Sequence, residues 1–392
     1  MTLHALALAG EPLDVPGRQS RAEGFIAGRE FDRPTLVIDT ARVAHNYGEL
    51  AAGLGDARIH YAVKANPERS VIETLVHCGA GFDAASRGEI ELVLSQGATA
   101  DRVSFGNTVK TVRDIAFAHS VGVDLFAVDC VEEIAKVAEH APGARVYVRV
   151  IVTKSEADWP LSRKFGAESA CVPGLMAEAA AAGLRPVGIS FHVGSQTRRA
   201  AMWAATLDEM AGTWADCHAA GFALELLNIG GGFPAFYGDP VEAPRAYAAE
   251  VARMVRDRFG AVPVVMAEPG RGLVADAGAI AAEVVLATRK SESDLHRWVY
   301  LDIGKFSGLA ETIDEAIRYQ FATPRDGGAM GPCILAGPSC DSADILYENR
   351  PVMLPVELRS GDRIVIRNAG AYTSSYSSVG FNGFPPLDVI AL

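Results

Sequence analysis

The sequence predicts a (β/α)8 barrel of the TIM type followed by an antiparallel β domain, and three observations support this. Short apolar β-type runs alternate with helical stretches between about residues 57 and 275. Many of the helical stretches end in Gly, which is a frequent helix stop. After about residue 275 the pattern changes to strands separated by turn-rich segments without regular helices. A chain of 392 residues is also long enough for two domains.

Eight β-type runs define the predicted barrel. They cover residues 59–65, 81–86, 102–107, 125–130, 145–150, 187–195, 224–232 and 262–270. Strands that alternate with helices in this number fit a closed barrel, which we expect to span residues 36–275. A doubly wound open sheet of similar length stays possible at this point, because strand order alone does not show closure.

The segments outside the barrel are predicted to form a β-sandwich or barrel-like domain from residues 1–35 and 276–392. Its strand candidates are the runs AIAAEVVLAT, RWVYLDI, VMLPVELRSGDRIVI and PLDVIAL. The first 35 residues fit neither pattern, and we assign them to this domain.

The composition of the chain argues against several classes of function. The net charge of −12 argues against a nucleic-acid partner and suits a cationic metabolite. No run of about 18 apolar residues indicates a membrane span, and the first thirty residues lack the apolar core of a signal peptide. The six cysteines show neither a CxxC pair nor zinc-ligand spacing, so we expect no metal. The sequence therefore favours a cytoplasmic enzyme.

The ends of the predicted barrel strands carry unusual residues. In a (β/α)8 barrel the functional groups gather at the C-terminal ends of the strands. The candidates there are Lys64, Asp83, Arg149, His192, Ser195, Gly230, Gly231, Gly232, Glu268 and Arg271.

Several of these residues have both a functional and an ordinary interpretation. Lys64 can form a Schiff base, or its ammonium can simply reach solvent. The triple glycine Gly230–Gly232 can bind a phosphate through its backbone N–H groups, or it can be a tight turn. Glu268 can face a pyridinium nitrogen, or it can pair with a nearby arginine. His192 can stack on a cofactor ring, or it can be a hydrogen-bonded histidine at the edge of the core.

Together these segments resemble a known family. The motifs YAVKAN, GFDAASRGEI, SFHVGSQ, NIGGGFP, AEPGR, GPSCD and NAGAYTSSYSSVGFNGF are similar to those of the fold-type III pyridoxal phosphate (PLP) decarboxylases. The similarity is greatest to the ornithine decarboxylases and the bacterial lysine/ornithine decarboxylases. It extends from about residue 35 to the C-terminus, with the motifs in the family's order. The alanine racemases share the architecture but lack this set of motifs.

The resemblance implies roles for the barrel residues around a PLP cofactor. Lys64 would hold PLP covalently, and Asp83 and Glu89 would shape the pocket beside it. His192 would stack on the ring, while Glu268 would pair with the ring nitrogen and Arg149 would lie behind it. The implied phosphate ligands are Ser195, Gly230, Gly231, Gly232, Arg271 and Tyr372.

The resemblance also implies roles for residues beyond the barrel. Cys340 would protonate Cα after CO₂ leaves, and Asp341 with Asp302 would receive the distal ammonium of a basic amino acid. Glu311 could share the role of Asp302, because the sequence after Asp302 departs from that of the animal enzymes. Without the family pattern, Cys340 would be a loop cysteine and the two acids solvated surface residues.

Two further features follow from the resemblance. The active sites are expected to be shared between the subunits of a homodimer, with Cys340 and Asp341 coming from the other subunit. The segment from about Lys154 to Lys164 is expected to act as a lid that excludes water.

The predicted reaction is decarboxylation of L-ornithine to putrescine, or of L-lysine to cadaverine, in polyamine biosynthesis. The sequence does not separate these substrates, which differ by one methylene. Diaminopimelate decarboxylase is one alternative, although its relatives usually carry Glu where this chain has Asp341. A racemase is a second alternative, against which the GPSCD and FNGF segments argue. The third is a catalytically silent relative that binds a regulatory protein, against which the intact Lys64, Glu268 and Cys340 argue.

Overall fold

The computed structural model describes residues 20–153 and 164–392, so the predicted lid lies outside the described residues except for Lys164. The chain forms two compact units. The barrel unit comprises the described residues of Asn46–Ala235 and Pro240–Gly272, and the sheet unit comprises the described residues up to His45, Phe236–Asp239 and Leu273–Leu392. Within the described residues, no helix combines the length and apolar character needed to cross a membrane.

The described chain begins in the sheet unit with helix α1 (Arg21–Ala27) and strand β1 (Thr35–Ile38). The hydroxyl of Ser20 caps the helix by accepting a hydrogen bond from the Glu23 amide at 3.2 Å. Strand β1 pairs with residues 278–281 and 388–391. Residues 36–38, which the sequence prediction assigned to the barrel, therefore lie in the sheet. An apolar run such as Thr-Leu-Val-Ile predicts a buried strand but not its partners.

Eight parallel strands close into a barrel, as predicted. They are β2 (Arg58–Ala62), β3 (Gly81–Ala84), β4 (Val103–Phe105), β5 (Leu125–Val128), β6 (Arg145–Arg149), β7 (Arg185–Ser190), β8 (Leu226–Asn228) and β9 (Val264–Ala267). The last strand pairs with the first through Arg58↔Met266 and Ile59↔Ala267. This closing pair excludes the doubly wound alternative. Several predicted runs extend beyond the strands because their last residues, such as His192, leave the ladder at the barrel rim.

Helices alternate with the barrel strands, and several of them begin or end on recognisable signals. The remaining helices are α2 (Thr40–Leu54), α3 (Arg69–Cys78), α4 (Arg87–Ser95), α5 (Val112–Ser120), α6 (Val131–His140), α7 (Val172–Ala181), α8 (Ala204–Ala219), α9 (Pro244–Phe259) and α10 (Arg271–Val274). Ser86 and Thr111 cap α4 and α5 by accepting the Glu89 and Asp114 amides. Gly79 ends α3 with a left-handed φ of 89°.

The barrel interior is filled by side chains. Six buried residues from the barrel strands pack together in one hydrophobic cluster: Leu125, Ala127, Tyr147, Val187, Leu226 and Met266. Because the interior is packed, chemistry is confined to the rim, where the strands end and the loops begin.

The sheet unit contains the remaining strands. They are β10 (Gly278–Thr288), β11 (Arg297–Leu301), β12 (Gln320–Ala322), β13 (Met330–Ala336), β14 (Ile345–Pro355), β15 (Arg363–Arg367) and β16 (Asp388–Ala391). The strand order is β12-β15-β10-β11-β13-β14, with β1 attached to β10 and β16. Most pairs are antiparallel as predicted, but β11 pairs with β13 and β1 with β16 in parallel.

Besides β1, two strands of this sheet were absent from the sequence prediction. Strand β12 is only three residues long, and β13 reads MGPCILA, in which Gly331 and Pro332 obscure the strand pattern. The predicted run VMLPVELRSGDRIVI is in fact two strands. A turn separates them, in which the Asp362 amide donates to the Arg359 carbonyl at 3.0 Å.

A pair of glycine substitutions tests the barrel packing. In β7, a Cβ added to Gly188 would lie 1.8 Å from the Leu226 carbonyl oxygen of β8, whereas Gly212 in α8 has no heavy atom within 4 Å of such a position. We expect Gly188→Ala to destabilise the protein by roughly 3 kcal/mol or more through overpacking. Gly212→Ala should stabilise it by about 0.5–1 kcal/mol. Urea midpoints followed by circular dichroism measure both, and equal midpoints for the two variants would contradict this account.

Candidate active site

A lysine and an acid face each other at the ends of the first two barrel strands. Lys64 lies in the short turn Val63–Ala65 directly after β2. Its ammonium is 4.0 Å from the carboxylate of Asp83 in β3, and the Lys64 side chain is 51% exposed whereas that of Asp83 is 7% exposed. The amine is therefore accessible at the rim while its counter-charge is held below it.

Three carboxyl groups share this rim, and burial raises the pKa of each. It raises the pKa of Asp83, against the opposing charges of Lys64 and Arg149. It raises the pKa of Glu89 to about 7, and the charge of Asp83 adds to the effect. It also raises the pKa of Glu268, again with a contribution from Asp83. Such a group of acids is stabilised by a further positive charge among them.

Glu268, which follows β9, is held by hydrogen bonds from β8 and the turn after it. The side-chain amide of Asn228 donates to its Oε1 at 2.5 Å. The Glu268 backbone amide donates to the Gly230 carbonyl at 2.7 Å. Asn228 was not singled out from the sequence. The signal for it would have been a polar residue ending the otherwise apolar run of β8.

The turn Gly230–Gly232 has no room for side chains. Gly230 and Gly232 have left-handed φ angles of 69° and 109°. A Cβ on Gly230 would lie 2.1 Å from the Phe191 carbonyl oxygen, and one on Gly231 would lie 2.8 Å from the Glu268 carbonyl oxygen. The turn thus brings bare backbone against its neighbours at the rim, as an anion-binding loop requires.

Arg271 and Ser195 supply polar side chains to the same rim. The buried Arg271 donates from Nη2 to the Ser195 hydroxyl at 3.3 Å. Ser195 belongs to the segment that packs against the glycine turn, since the Thr197 amide donates to the Gly232 carbonyl at 3.0 Å. The structure therefore brings together the barrel residues predicted to bind a phosphate group.

His192 is a neutral histidine. Desolvation, with the charges of Arg149 and Lys64, holds its pKa well below the ordinary value. The Gly194 amide donates to its Nδ1 at 3.0 Å, so the ring proton resides on Nε2. The guanidinium of Arg149, at the end of β6, lies 5.2 Å from the centre of the Phe165 ring.

In the sheet unit, Cys340 and Asp341 occupy the connection between β13 and β14, and both are exposed. The Cys340 amide donates to Oδ1 of Asn382 at 3.3 Å. Oδ1 of Asp341 accepts from the Ala343 amide at 2.9 Å, which forms a local turn around the carboxylate.

A buried carboxylate stabilises this connection from within the sheet unit. Asp344 accepts from the Lys305 amide at 2.8 Å and from the Ser339 hydroxyl at 2.7 Å. A Cβ on Gly304 or Gly337 would lie within 2.3 Å of its carboxylate, so both positions require glycine. Asp344 was not predicted from the sequence, because an isolated Asp gives no sign of burial.

The other predicted residues of the sheet unit have varied environments. Asp302 accepts from the Glu283 amide at 2.8 Å, and burial raises its pKa to about 6. Glu311 is buried. Tyr372 has a left-handed φ of 54°, a backbone strain that tends to occur at functional sites, and its ring packs edge-on against Tyr376.

Comparison with known proteins identifies relatives over most of the chain. Residues 40–275 match the family described as "Pyridoxal-dependent decarboxylase, pyridoxal binding domain". A lysine/ornithine decarboxylase from Selenomonas ruminantium is 32% identical over 367 residues, which are 94% of this chain and 91% of that protein.

Solved structures are similar over nearly the whole chain. The crystal structure of SrLDC in complex with PLP and cadaverine matches with a TM-score of 0.85 and 31% identity, covering 96% of this chain and 94% of that one. The lysine/ornithine decarboxylase from Vibrio vulnificus complexed with putrescine matches with a TM-score of 0.83 and 31% identity, covering 96% of this chain and 99% of that one.

The raised pKa of Glu89 predicts a pH-dependent stability of the cofactor-free protein. The folded state binds more protons than the unfolded state between the ordinary pKa of 4.5 and about 7, so stability falls as the pH rises through this window. Glu89→Gln keeps an oxygen for the Ala85 amide but cannot ionise. We expect the variant to match the wild type near pH 4.5 and to be more stable above pH 7, by roughly 1–3 kcal/mol.

Urea unfolding of the cofactor-free proteins at pH 5 and pH 8 measures this difference. Glu91→Gln, in the same helix and paired with Arg87 at the surface, is the matched control. It removes a carboxylate from the exposed surface of the helix, so an equal change between pH 5 and pH 8 for the two variants would contradict the assignment.

Proposed function

Because the chain belongs to the pyridoxal-dependent decarboxylases and so uses pyridoxal phosphate, we propose that it decarboxylates L-ornithine to putrescine and L-lysine to cadaverine. One observation carries the proposal. The barrel rim combines a lysine, a glycine turn backed by an arginine, and an acid with a raised pKa at the ends of neighbouring strands. The binding of cadaverine and putrescine by similar solved structures supports the choice of substrates.

The rim residues fit the cofactor in charge and shape. The Gly230–Gly232 turn, where a Cβ would collide with backbone, suits the close approach of a phosphate group. Arg271 and Ser195 would add charged and neutral donors to that phosphate, and Tyr372 is proposed to complete its ligands. At the other end, Glu268 would receive the protonated ring nitrogen, which supplies the positive charge that the three acids favour.

Individual residues of the chain would then have different roles in the reaction. Bound PLP supplies an electron sink for the electron pair left behind by CO₂. Lys64 would hold the cofactor, Glu268 would keep its ring nitrogen protonated, and the neutral His192 would pack against its ring. Arg149 would lie behind Glu268, and Asp83 and Glu89 would set the charge around the Lys64 amine. Cys340 would donate the proton that Cα of the substrate needs after decarboxylation.

Asp341 is proposed to bind the distal ammonium of the substrate. It is exposed, and one of its oxygens is occupied by a local turn only, which leaves the other for a ligand. Asp302 is the second proposed ligand, and Glu311 is proposed to share its role. Like Asp341, Asp302 accepts one backbone amide through Oδ1, in this case that of Glu283.

We further propose a homodimer with shared active sites, in which Cys340 and Asp341 serve the barrel of the other subunit. The support is the division of the predicted residues between two structural units, with Lys64, His192 and Glu268 in one and Cys340 and Asp341 in the other. The free state of all six cysteines suits a reducing cytoplasm, and the diamine products suit polyamine biosynthesis.

Replacement of Asp341 tests the substrate class. Asp341→Asn keeps an oxygen for the Ala343 amide, so the loop is preserved and only the charge is lost. We expect KM for ornithine and lysine to rise roughly 10- to 150-fold, the loss of a hydrogen bond to a charged group. A panel of ornithine, lysine, arginine and diaminopimelate provides the measurement. Unchanged KM, or higher activity on diaminopimelate than on ornithine and lysine, would refute the assignment.

Subunit mixing tests the shared site. Lys64→Ala and Cys340→Ala homodimers should each be nearly inactive, and Lys64→Ala should also lose the long-wavelength absorbance of bound PLP. When the variants are mixed and exchange subunits, half of the dimers are heterodimers with one intact site each. Activity should return to about a quarter of the wild-type value. Differently tagged chains report the exchange, and exchange without recovered activity would refute shared sites.

A further inference from the structure

Asn228 lies between the two ends of the proposed cofactor site. It is the last residue of β8 and is fully buried. Its Oδ1 accepts from the Gly230 amide at 2.9 Å, and its Nδ2 donates to Oε1 of Glu268 at 2.5 Å. The Glu268 amide in turn donates to the Gly230 carbonyl at 2.7 Å. The three residues thus form a closed ring of hydrogen bonds.

The direction of these bonds follows from chemistry. A backbone N–H only donates, so the Asn228 oxygen must face Gly230 and its NH₂ group must face Glu268. Glu268 therefore accepts, which favours its ionised form. This opposes burial and the charge of Asp83, both of which favour the protonated form.

A local turn alone would not require an amide at this position. The bond between Oδ1 and the amide two residues later is an Asx turn, which an aspartate forms equally well. The NH₂ group is the additional element, and its partner is the acid proposed to hold the ring nitrogen.

We propose that Asn228 is a positioning residue that keeps the Glu268 carboxylate oriented as an acceptor and couples it to the Gly230–Gly232 turn. The inference rests on the proposed function, in which Glu268 holds the ring nitrogen and the turn holds the phosphate. One buried side chain would then set the distance between the two ends of the cofactor site.

Asn228→Asp tests the proposal. The variant keeps the acceptor for Gly230, but it can donate to Glu268 only while it carries a proton. We expect near-wild-type cofactor affinity and kcat at pH 6. By pH 9 both should be at least tenfold lower than the wild-type values at that pH, because the carboxylate introduced at position 228 and that of Glu268 begin to repel each other. Asn228→Ala should lose at least tenfold in cofactor affinity and kcat at every pH, with little change in KM for the amino acid.

Asn107→Asp is the matched control. Asn107 also follows a barrel strand and also forms an Asx turn, with its Oδ1 accepting the Val109 amide at 3.1 Å. Its NH₂ group, however, donates to the Ala85 carbonyl, not to a carboxylate. Its pH dependence should match that of the wild type.

The measurements are the Kd of PLP from fluorescence, the visible spectrum of bound cofactor, and kcat, each between pH 6 and 9. An Asn228→Asp variant that matches the wild type throughout would overturn the proposal, since the Asx turn would then account for Asn228 entirely. The first two measurements need no amino acid, so failure of the substrate assignment leaves them interpretable. They also remain decisive if Asn228→Ala does not fold. A wild-type protein that binds no PLP would instead refute the proposed function.

Discussion

The pairing of the last barrel strand with the first is the constraint on which the site depends. It places Arg58 opposite Met266, and the Ala62 amide donates to the Pro269 carbonyl at 3.1 Å. Lys64 and Glu268, which lie at opposite ends of the barrel sequence, therefore follow adjacent strands and influence each other's charge. Without closure, the proposed covalent ligand of the cofactor and its proposed ring-nitrogen partner would lie at opposite edges of an open sheet.

Closure also concentrates charge. Asp83, Glu89 and Glu268 meet at one rim, where burial raises the pKa of each. Lys64 and Arg149 offset part of this charge, and the cationic ring of bound PLP is proposed to offset more. Such a cluster of acids destabilises the folded protein without its cofactor. It favours the binding of a cationic cofactor, because the repulsion among the carboxylates is offset when the ligand binds.

In the sheet unit, hydrogen bonds stabilise an exposed loop. Asp344 and the two glycines around it stabilise the connection that carries Cys340 and Asp341, while the Cys340 amide donates to Asn382. The proposed reactive groups are thus exposed, while the Asp344 carboxylate that stabilises their connection is buried. This arrangement suits groups proposed to act on a site in another subunit, because they must present a defined geometry outward.

The sequence alone determined the eight barrel strands, the change to a β domain and the family, because apolar periodicity and motif order are local properties that survive without coordinates. It also placed Lys64, His192 and Glu268 at strand ends, where a barrel collects its functional groups. Only the tertiary structure decided that β1 belongs to the sheet, that β12 and β13 are strands, and that Asn228 and Asp344 are buried at their sites. Those features depend on partners distant in the chain, and a short strand, an isolated Asn or an isolated Asp carries no local sign of which partner it meets.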